Sequence, residues 1–566
     1  MNILKKHTPA VIGAAVVLIL AILAVAFLPG TLQRIEFRSS FEAGMRFLEE
    51  LNYESAIVEL KKAYNIDPYH VEVRNSIEIA YNALIEQCIA EGNYEQAERY
   101  ALELEEFLAG LPDAVERTPD AGEEVVISDP AMEAAIRLNL GKETGALTMA
   151  DLESVLYFNT DGMELTDLTG LALMPNLEQV VLYGETGVTD LSPLASLTNL
   201  KTLILYPFAG TDLSVLADLT GLELLALWAN VDYDADPVVY PGLDISVLAH
   251  LTKLQYLELQ NFAVGDISAL GGLTELRELV ILNCGVTDLS PLVSLTGLTS
   301  LQLTNNPIAD LSPLARLTAL TSLDLSTCGI TDLTELSSLT NLTRLEICYN
   351  DITDVTPLSP LVNLEYLRMD WNRVADLSPL APLTNLIYLE LTGNAFVDIS
   401  PLAGMTKMNR LYLNQNNITD LSALSGMTEL DYLNISTNNF TDITPLAGLV
   451  NLHTLYIDYS NKVTSFEPLS NLTALETLYM TNCDLGAGIA YLAPLVNLVS
   501  LGLYDNAITD ISVLSAMSKL ETLDIMYNEI TDLSPLAGLT NLNRLHIIGN
   551  PVTDTSAVAH VENIYQ

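Results

Sequence analysis

Three residues near the C-terminal end are of the types that a serine hydrolase uses: Ser500, Asp524 and His546. Asp524 and His546 are 22 residues apart, the spacing at which the chain repeats itself, so we expect them side by side on adjacent strands, within reach of an ion pair. Ser500 falls two strands before His546, about 10 Å away. A general base must lie about 3 Å from the hydroxyl that it deprotonates. The spacing therefore predicts no nucleophilic site, and we expect no enzyme activity.

The acidic segment DYDADPVVYP, residues 232–241, lengthens one repeat and carries Asp232, Asp234 and Asp236. Alternating aspartates begin a calcium-binding loop, but the glycine and the distal glutamate of such a loop are missing at the expected offsets. We interpret the segment as a solvated acidic loop, with cation binding as the open alternative. The other histidines lie far apart, and no glycine-rich phosphate loop occurs. We predict no metal site and no cofactor.

Aromatic residues recur at the repeat spacing in a pattern that favours partner binding. The candidate residues are Tyr366, Arg368, Trp371, Tyr388, Arg410, Tyr412, Tyr432, Tyr456, Tyr459, Tyr479 and Tyr504. In a strand that alternates leucine with other residues, the intervening side chains are free of core packing. Tyrosine and tryptophan lose little entropy when held at a surface and are enriched in hot spots, so we predict a protein-binding stripe. The alternative is that these rings only pack against their cross-strand neighbours.

A second aromatic group marks the N-terminal repeats. It consists of Tyr183, Tyr206, Phe208, Trp228 and Tyr256. We interpret it either as a hydrophobic subsite or as a contact with the segment that precedes the repeats.

The elements that place these residues are short repeats. Aspartates recur every 22 residues from Asp266 to Asp442, each opening a variant of D-L-S-P-L-x-x-L-T-N-L-x-x-L-x-L-x-x-N-x-I-T. This period is typical of a leucine-rich-repeat solenoid, an α/β fold with short parallel strands on the concave face and 3-10 or irregular segments on the convex side. We predict about seventeen turns over residues 166–566, with strand motifs from 180–182 to 545–547. The strand-end asparagine should bond neighbouring turns, and the aspartate should cap the convex helix.

The five cysteines form no C-x-x-C pair and no zinc-binding spacing. Cys284, Cys328 and Cys483 fall on the asparagine position of their repeats, so we expect them in the buried ladder. Cys348 falls on an outward strand position, and Cys88 lies in a predicted helix. We predict no disulfide framework.

An uncharged run of nineteen residues follows a short N-terminal tail, residues 1–9. Residues 10–28 would span about 28 Å as a helix, close to the thickness of the bilayer core. Lys5 and Lys6 favour a cytoplasmic N-terminus, although arginines also follow the run. We predict a single transmembrane signal anchor. The alternative is a cleaved signal peptide with its site at 24–26, and either form exports the rest of the chain.

The segment after the hydrophobic run has a helical period. Over residues 36–109 the spacing of Gly44, Phe47, Ala56, Leu60 and Ala63 resembles the helix-turn-helix unit of tetratricopeptide repeats. That resemblance implies protein or peptide binding, but fewer than three units make a poor groove, so a spacer is the alternative. Residues 110–124 contain helix breakers and no apolar period, which indicates a flexible linker.

A small helical cap is predicted over residues 125–165, with Asp129-Pro130 at a helix start. The motif D-P-x-x-E-x-A-I-R-x-x-L, followed directly by 22-residue repeats, resembles the bacterial internalin-type leucine-rich-repeat proteins from about Val125 onward. The resemblance implies binding at the cell surface. The sequence departs from that family in showing no LPxTG-like sorting signal and no immunoglobulin-like domain after the repeats, which puts host-cell adhesion in doubt.

The charge balance bounds the choice of partner. With 24 Lys and Arg against 72 Asp and Glu, the net charge is −48, which repels nucleic acid and anionic lipid. We therefore predict a non-catalytic protein-binding scaffold, held on a bacterial membrane with the repeats outside the cytoplasm, or secreted if the N-terminal segment is cleaved. One alternative is a glycan-binding or wall-associated structural protein. Another is a membrane-tethered adaptor in the cytoplasm.

Overall fold

The computed structural model describes residues 40–48 in part, 52–66, 71–90, 94–109 and 125–566, apart from 161, 164, 183–187, 189, 207–210, 230, 232–238 and 461. The chain divides into two compact units, residues 1–121 and 122–566. The predicted tail 1–9, hydrophobic segment 10–28 and linker 110–124 lie outside the described residues. Within the described residues, no helix is both long enough and apolar enough to cross a bilayer.

The first unit is helical, with α1 at Tyr53–Ile66, α2 at Val71–Ala90 and α3 at Tyr94–Ala109. Ala56, Leu60 and Ala63 of α1 are fully buried, as small and apolar residues at helical spacing predict. Tyr81 of α2 is also buried, and its hydroxyl accepts a hydrogen bond from the Lys61 ammonium at 2.6 Å. Neighbouring helices therefore share both an apolar and a polar contact.

The second unit begins with two short helices, α4 at Pro130–Leu140 and α5 at Met149–Glu153. Asp129 caps α4 by accepting from the N–H of Ala131 at 2.9 Å, and Gly141 ends the helix with φ 62°. Thr148 and Asp151 form a capping box at α5. The cap also contains a strand, Tyr157–Asn159, which pairs with the first repeat strand. The sheet therefore begins inside the segment expected to be a helical cap.

All strands of the second unit's described part belong to one 19-stranded parallel sheet, in which each strand pairs with the next along the chain. The strands are β1 Tyr157–Asn159, β2 Gln179–Val181, β3 Thr202–Leu205, β4 Leu224–Trp228, β5 Tyr256–Gln260, β6 Glu278–Leu282, β7 Ser300–Gln302, β8 Ser322–Asp324, β9 Arg344–Glu346, β10 Tyr366–Arg368, β11 Tyr388–Glu390, β12 Arg410–Tyr412, β13 Tyr432–Asn434, β14 Thr454–Tyr456, β15 Thr477–Tyr479, β16 Ser500–Gly502, β17 Thr522–Asp524, β18 Arg544–His546 and β19 Asn563–Tyr565. The predicted strand motifs correspond to β2 to β18, and β1 and β19 extend the sheet at its two ends. Short 3-10 helices such as Ser290–Ser294 connect the strands on the opposite side.

Buried asparagines bond consecutive turns. The Asn350 amide donates to the carbonyls of Leu325, Ile347 and Cys348 at 3.0 to 3.1 Å. Its Oδ1 accepts from the N–H groups of Cys328 and Ile330, both at 3.0 Å. One side chain thus satisfies backbone groups that have no strand partner.

Three cysteines take the asparagine position, as predicted. Their thiols donate to carbonyls of the preceding turn, for example Cys328 Sγ to Leu303 O at 3.1 Å. Burial raises the pKa of Cys284 and Cys328 to about 11 and that of Cys483 to about 12, so these thiols are not nucleophilic at neutral pH.

The prediction for Cys348 is wrong, because this residue is buried rather than outward. Its N–H donates to the Ser326 hydroxyl of the preceding turn at 3.3 Å. Burial, followed by the neighbouring Asp370 carboxylate, raises the pKa of the Cys348 thiol. Flanking side chains on adjacent strands therefore cover a position that an isolated strand would expose.

Each repeat aspartate lies two residues before the first residue of its 3-10 helix. Asp310 Oδ1 accepts from the N–H of Ser312 at 2.8 Å, and Asp376 bonds Ser378 in the same way. This arrangement is an Asx turn, so the aspartate acts one position earlier than a standard N-cap. These hydrogen bonds hold the pKa of Asp310 and Asp376 below the usual value.

Candidate functional site

Tyrosines on six consecutive strands, β10 to β15, form one continuous stack, which we call the tyrosine ladder. Its members are Tyr366, Tyr388, Tyr412, Tyr432, Tyr456 and Tyr479. Ring centroids of successive members are 4.3, 5.5, 4.5, 5.7 and 5.1 Å apart. The structure therefore brings together tyrosines that are 20 to 24 residues apart in sequence.

The ladder zigzags between two columns of the concave face. Tyr366, Tyr388 and Tyr432 occupy the first position of their strands, whereas Tyr412 and Tyr456 occupy the third. Parallel strands lie about 4.8 Å apart, so rings on neighbouring strands meet whichever column holds them. All the rings are half-buried, because each covers part of the next. Cross-strand packing and an exposed aromatic surface therefore coexist here.

The hydroxyls of Tyr388, Tyr432 and Tyr456 remain protonated at neutral pH. Tyr388 donates to Glu390 Oε2 at 3.0 Å, and burial together with this carboxylate raises the pKa of Tyr388. Burial also raises the pKa of Tyr432 and Tyr456. These three tyrosines thus offer neutral rings with hydroxyls that can both donate and accept hydrogen bonds.

Arg368 lies beside the ladder and is held by carboxylates. Its guanidinium contacts Glu346 at 3.1 Å, Glu390 at 2.8 Å and Asp370 at 3.6 Å. Arg344 pairs with Glu346 at 2.5 Å and also lies 3.7 Å from the centroid of the Tyr366 ring. Each of these three carboxylates therefore has an arginine partner at this end of the ladder. Arg410, by contrast, is exposed.

At its other end, the ladder depends on a glycine. The Tyr479 hydroxyl lies 2.9 Å from the Ser500 hydroxyl on the next strand. A Cβ at Gly502 would lie 2.3 Å from Tyr479 Cδ1, so only glycine leaves room for this ring. The Ser500 hydroxyl is therefore hydrogen-bonded to Tyr479.

The residues of hydrolase type do not form a catalytic arrangement. Asp524 and His546 are paired in register on β17 and β18, but they form no ion pair. The His546 ring stacks on Tyr565 at 4.3 Å instead.

Large aromatic residues occupy strained positions along one edge of the concave face. Tyr349, Trp371, Tyr459 and Tyr527 have φ between 52° and 56°, a region that glycine or asparagine adopts most easily. Their side chains are 57%, 42%, 56% and 51% exposed, in that order. Gly393 has the same place in its turn with φ 67°. Trp371 and Tyr459 were among the predicted residues, but Tyr527 was missed. Tyr527 directly precedes Asn528, one of the buried asparagines that bond consecutive turns. That position in the repeat is the signal from which Tyr527 could have been predicted.

The second aromatic group is only partly described. Tyr206 and Trp228 meet edge to face at 5.2 Å, and the Tyr256 hydroxyl donates to Glu258 Oε2 at 2.6 Å. Burial raises the pKa of this carboxyl. Tyr183 and Phe208 lie outside the described residues, as do Asp232, Asp234 and Asp236. Among the residues that the structure describes, no cluster of His, Cys, Asp and Glu is arranged to hold a metal ion.

Comparison with known proteins agrees with this architecture. A family model described as "Leucine Rich repeats (2 copies)" matches residues 274–316, 296–338, 384–426, 406–448, 496–537 and 518–560. The crystal structure of an internalin from Listeria monocytogenes is 35% identical, covers 58% of this chain and 94% of its own, and has a TM-score of 0.53. The chain belongs to the internalin-type leucine-rich-repeat proteins.

More distant structures share the fold of this internalin-type protein. A leucine-rich-repeat protein from Leptospira interrogans is 21% identical over 70% of this chain and 98% of its own, with a TM-score of 0.57. A TDR receptor is 17% identical over 74% of this chain and 84% of its own, with a TM-score of 0.51. A search of curated proteins finds no match. Leucine-rich-repeat proteins generally serve as non-catalytic scaffolds that bind proteins, and this internalin-type chain has that scaffold.

Proposed function

We propose that the concave face of this internalin-type protein captures a protein partner through the tyrosine ladder and the residues around it. The binding residues are those predicted from the sequence: Tyr366, Arg368, Trp371, Tyr388, Arg410, Tyr412, Tyr432, Tyr456, Tyr459, Tyr479 and Tyr504. The observation that carries the proposal is the stack of six half-exposed tyrosines on consecutive strands.

Stacking prepares the ladder for binding. Each ring is held by its neighbours, so little rotamer entropy remains to be lost when a partner covers the surface. Tyrosines also combine apolar area with a hydroxyl, which is why they are enriched at interface hot spots. Serine and threonine hold the first strand position in other turns, as at Ser300, Ser322 and Thr454, so the fold itself does not require the rings.

A site-specific photocrosslinker tests this proposal in the native cell. We expect p-benzoylphenylalanine at Arg410, which is exposed within the ladder, to crosslink a discrete protein. The same residue at Ser425, exposed on a convex 3-10 helix, should not. Changing Tyr388, Tyr412 and Tyr432 together to serine should abolish the Arg410 crosslink. A crosslink that persists in this variant, with its melting transition intact, would show that the ladder is not the site.

The placement of the scaffold is part of the proposal. The hydrophobic run at residues 10–28 supports anchoring in a bacterial membrane with the repeats outside, or secretion if the run is cleaved. The helical unit then acts as a spacer or as a second, tetratricopeptide-like binding module. Protease added to intact cells should cut the repeats. Repeats that are cut only after permeabilisation would contradict export.

A further inference from the structure

Besides the tyrosine ladder, the concave face carries tyrosines along its strained edge, in the turns that follow β14, β16 and β17. Tyr459 and Tyr527 are exposed there, and the Tyr504 ring lies 5.1 Å from that of Tyr527. Gly549 leaves room beneath Tyr527, since a Cβ there would lie 2.7 Å from Tyr527 Cδ1. We call Tyr459, Tyr504 and Tyr527, with the carboxylates described next, the edge patch.

Three aspartates lie within three residues of these tyrosines in the sequence, and no ion pair to them is found among the described residues. Asp458 accepts from the N–H of Thr481 at 2.6 Å, and Asp505 accepts from the Asn482 amide at 3.2 Å. Asp524 accepts from the N–H of Met526 at 3.0 Å. Each thus has its position set by a hydrogen bond, and none forms an ion pair within the described residues.

The neighbouring tyrosines and two of the aspartates act on the pKa of Tyr504, whose ring lies 5.1 Å from that of Tyr527. Burial raises the pKa of Tyr504, and the neighbouring Tyr527 and Asp505 raise it further. Tyr459 and Asp524 act in the same direction. Negative potential therefore converges on the Tyr504 ring.

The carboxylates near β9 to β11 differ from those of the edge patch in having arginine partners. There, Glu346 and Glu390 are neutralised by arginines of the chain itself, and Arg344 covers a tyrosine face. At the edge patch, no arginine or lysine in the described part of the chain forms an ion pair with the carboxylates. Electron-rich ring faces and carboxylates both favour a guanidinium or an ammonium group.

We propose that the edge patch receives an arginine or lysine side chain from a basic segment of the partner protein. The inference rests on the proposed function and adds the chemistry of the partner. Charge complementarity supports this occupant, because three carboxylates lie within three residues of the patch tyrosines, in a chain of net charge −48. Tyr459 and Tyr527 adopt φ of 56° and 52°, a conformation that glycine or asparagine would take with less strain.

The test is the double variant Tyr459→Asn, Tyr527→Asn in the full chain. Asparagine holds the equivalent position at Asn305 and Asn482, with φ 57° and 51°, so the variant should melt at or above the wild-type temperature. It changes no charge, so general attraction of cations to the acidic protein is preserved. As a control for charge alone, Asp420→Asn removes one exposed carboxylate far from the patch and keeps its Asx-turn acceptor.

Calorimetric titration with a tetra-arginine peptide measures the effect. We expect wild type and Asp420→Asn to bind it alike, and the double variant to bind roughly tenfold more weakly, as expected for two lost cation–π contacts. Tetracitrulline, which has the same shape without the charge, should bind none of them. Equal binding of tetra-arginine by the double variant and wild type, or equal binding of tetracitrulline, overturns the proposal. The Arg410 crosslink reports on the ladder and this titration on the edge patch, so failure of one is distinguishable from failure of the other.

Discussion

Removal of the Asn350 side chain should destabilise the solenoid far more than removal of an exposed asparagine. The Asn350 amide makes five hydrogen bonds to backbone groups of its own and the preceding turns, and the residue is 7% exposed. Each buried hydrogen bond contributes about 1 kcal/mol, and the backbone groups left unpaired by the substitution cannot form hydrogen bonds to water instead. We expect Asn350→Ala to lower the free energy of unfolding by about 3 to 5 kcal/mol.

Cysteine at the same position provides a graded comparison. At Cys328 a thiol already replaces the amide and donates to the Leu303 carbonyl. Asn350→Cys should therefore keep one donor, lose the oxygen that accepts from two N–H groups, and cost about 1 to 2 kcal/mol less than alanine. Asn341→Ala, which removes one exposed bond to Thr318 O, should cost less than about 1 kcal/mol.

Urea unfolding followed by tryptophan fluorescence measures these differences. Trp371 lies one turn after Asn350 and Trp228 lies in the N-terminal repeats, so the two reporters sample different parts of the array. Midpoints and slopes for the three variants give the free energies. An alanine variant within about 1 kcal/mol of wild type, or a cysteine variant no milder than alanine, would refute the assigned role of the amide.

Two further predictions concern the glycine of the ladder and the repeat aspartates. Gly502→Ala should displace the Tyr479 ring, break its contact with Ser500 and lower the free energy of unfolding by about 1 to 3 kcal/mol. In the control Gly538→Ala, nothing lies within 4 Å of the added carbon, so the melting temperature should change little. Equal effects of the two substitutions would contradict the close approach of Gly502 and Tyr479. The pKa of Asp310 and Asp376 is lowered in the folded state, so their charged forms contribute stability that is present above about pH 4 and lost as the pH falls through the lower native pKa. Asp310→Asn, Asp376→Asn keeps the acceptors but not the charges, so melting curves between pH 5 and 2 should show a smaller acid loss than wild type, and parallel curves would argue against this contribution.

The sequence by itself determined the repeat architecture. The 22-residue period specifies which leucines enter the core, where the buried asparagines that bond consecutive turns lie, and which aspartates precede the 3-10 helices. These features depend on contacts within one turn and between adjacent turns, and every turn repeats the same local signals. The extra strand β1 was not foreseen, because YFN at residues 157–159 lacks the leucine pattern and becomes a strand only by pairing with β2.

Only the tertiary structure decided how the concave side chains are used. The sequence placed the tyrosines in columns, but their orientation depends on which rings the neighbouring strands present. The burial of Cys348, the pairing of Arg368 with Glu346 and Glu390, and the exposure of Tyr527 follow from packing between strands 22 residues apart in sequence. A residue's column can be read from the period, whereas its partners are set by side-chain conformations that only the stacked turns determine.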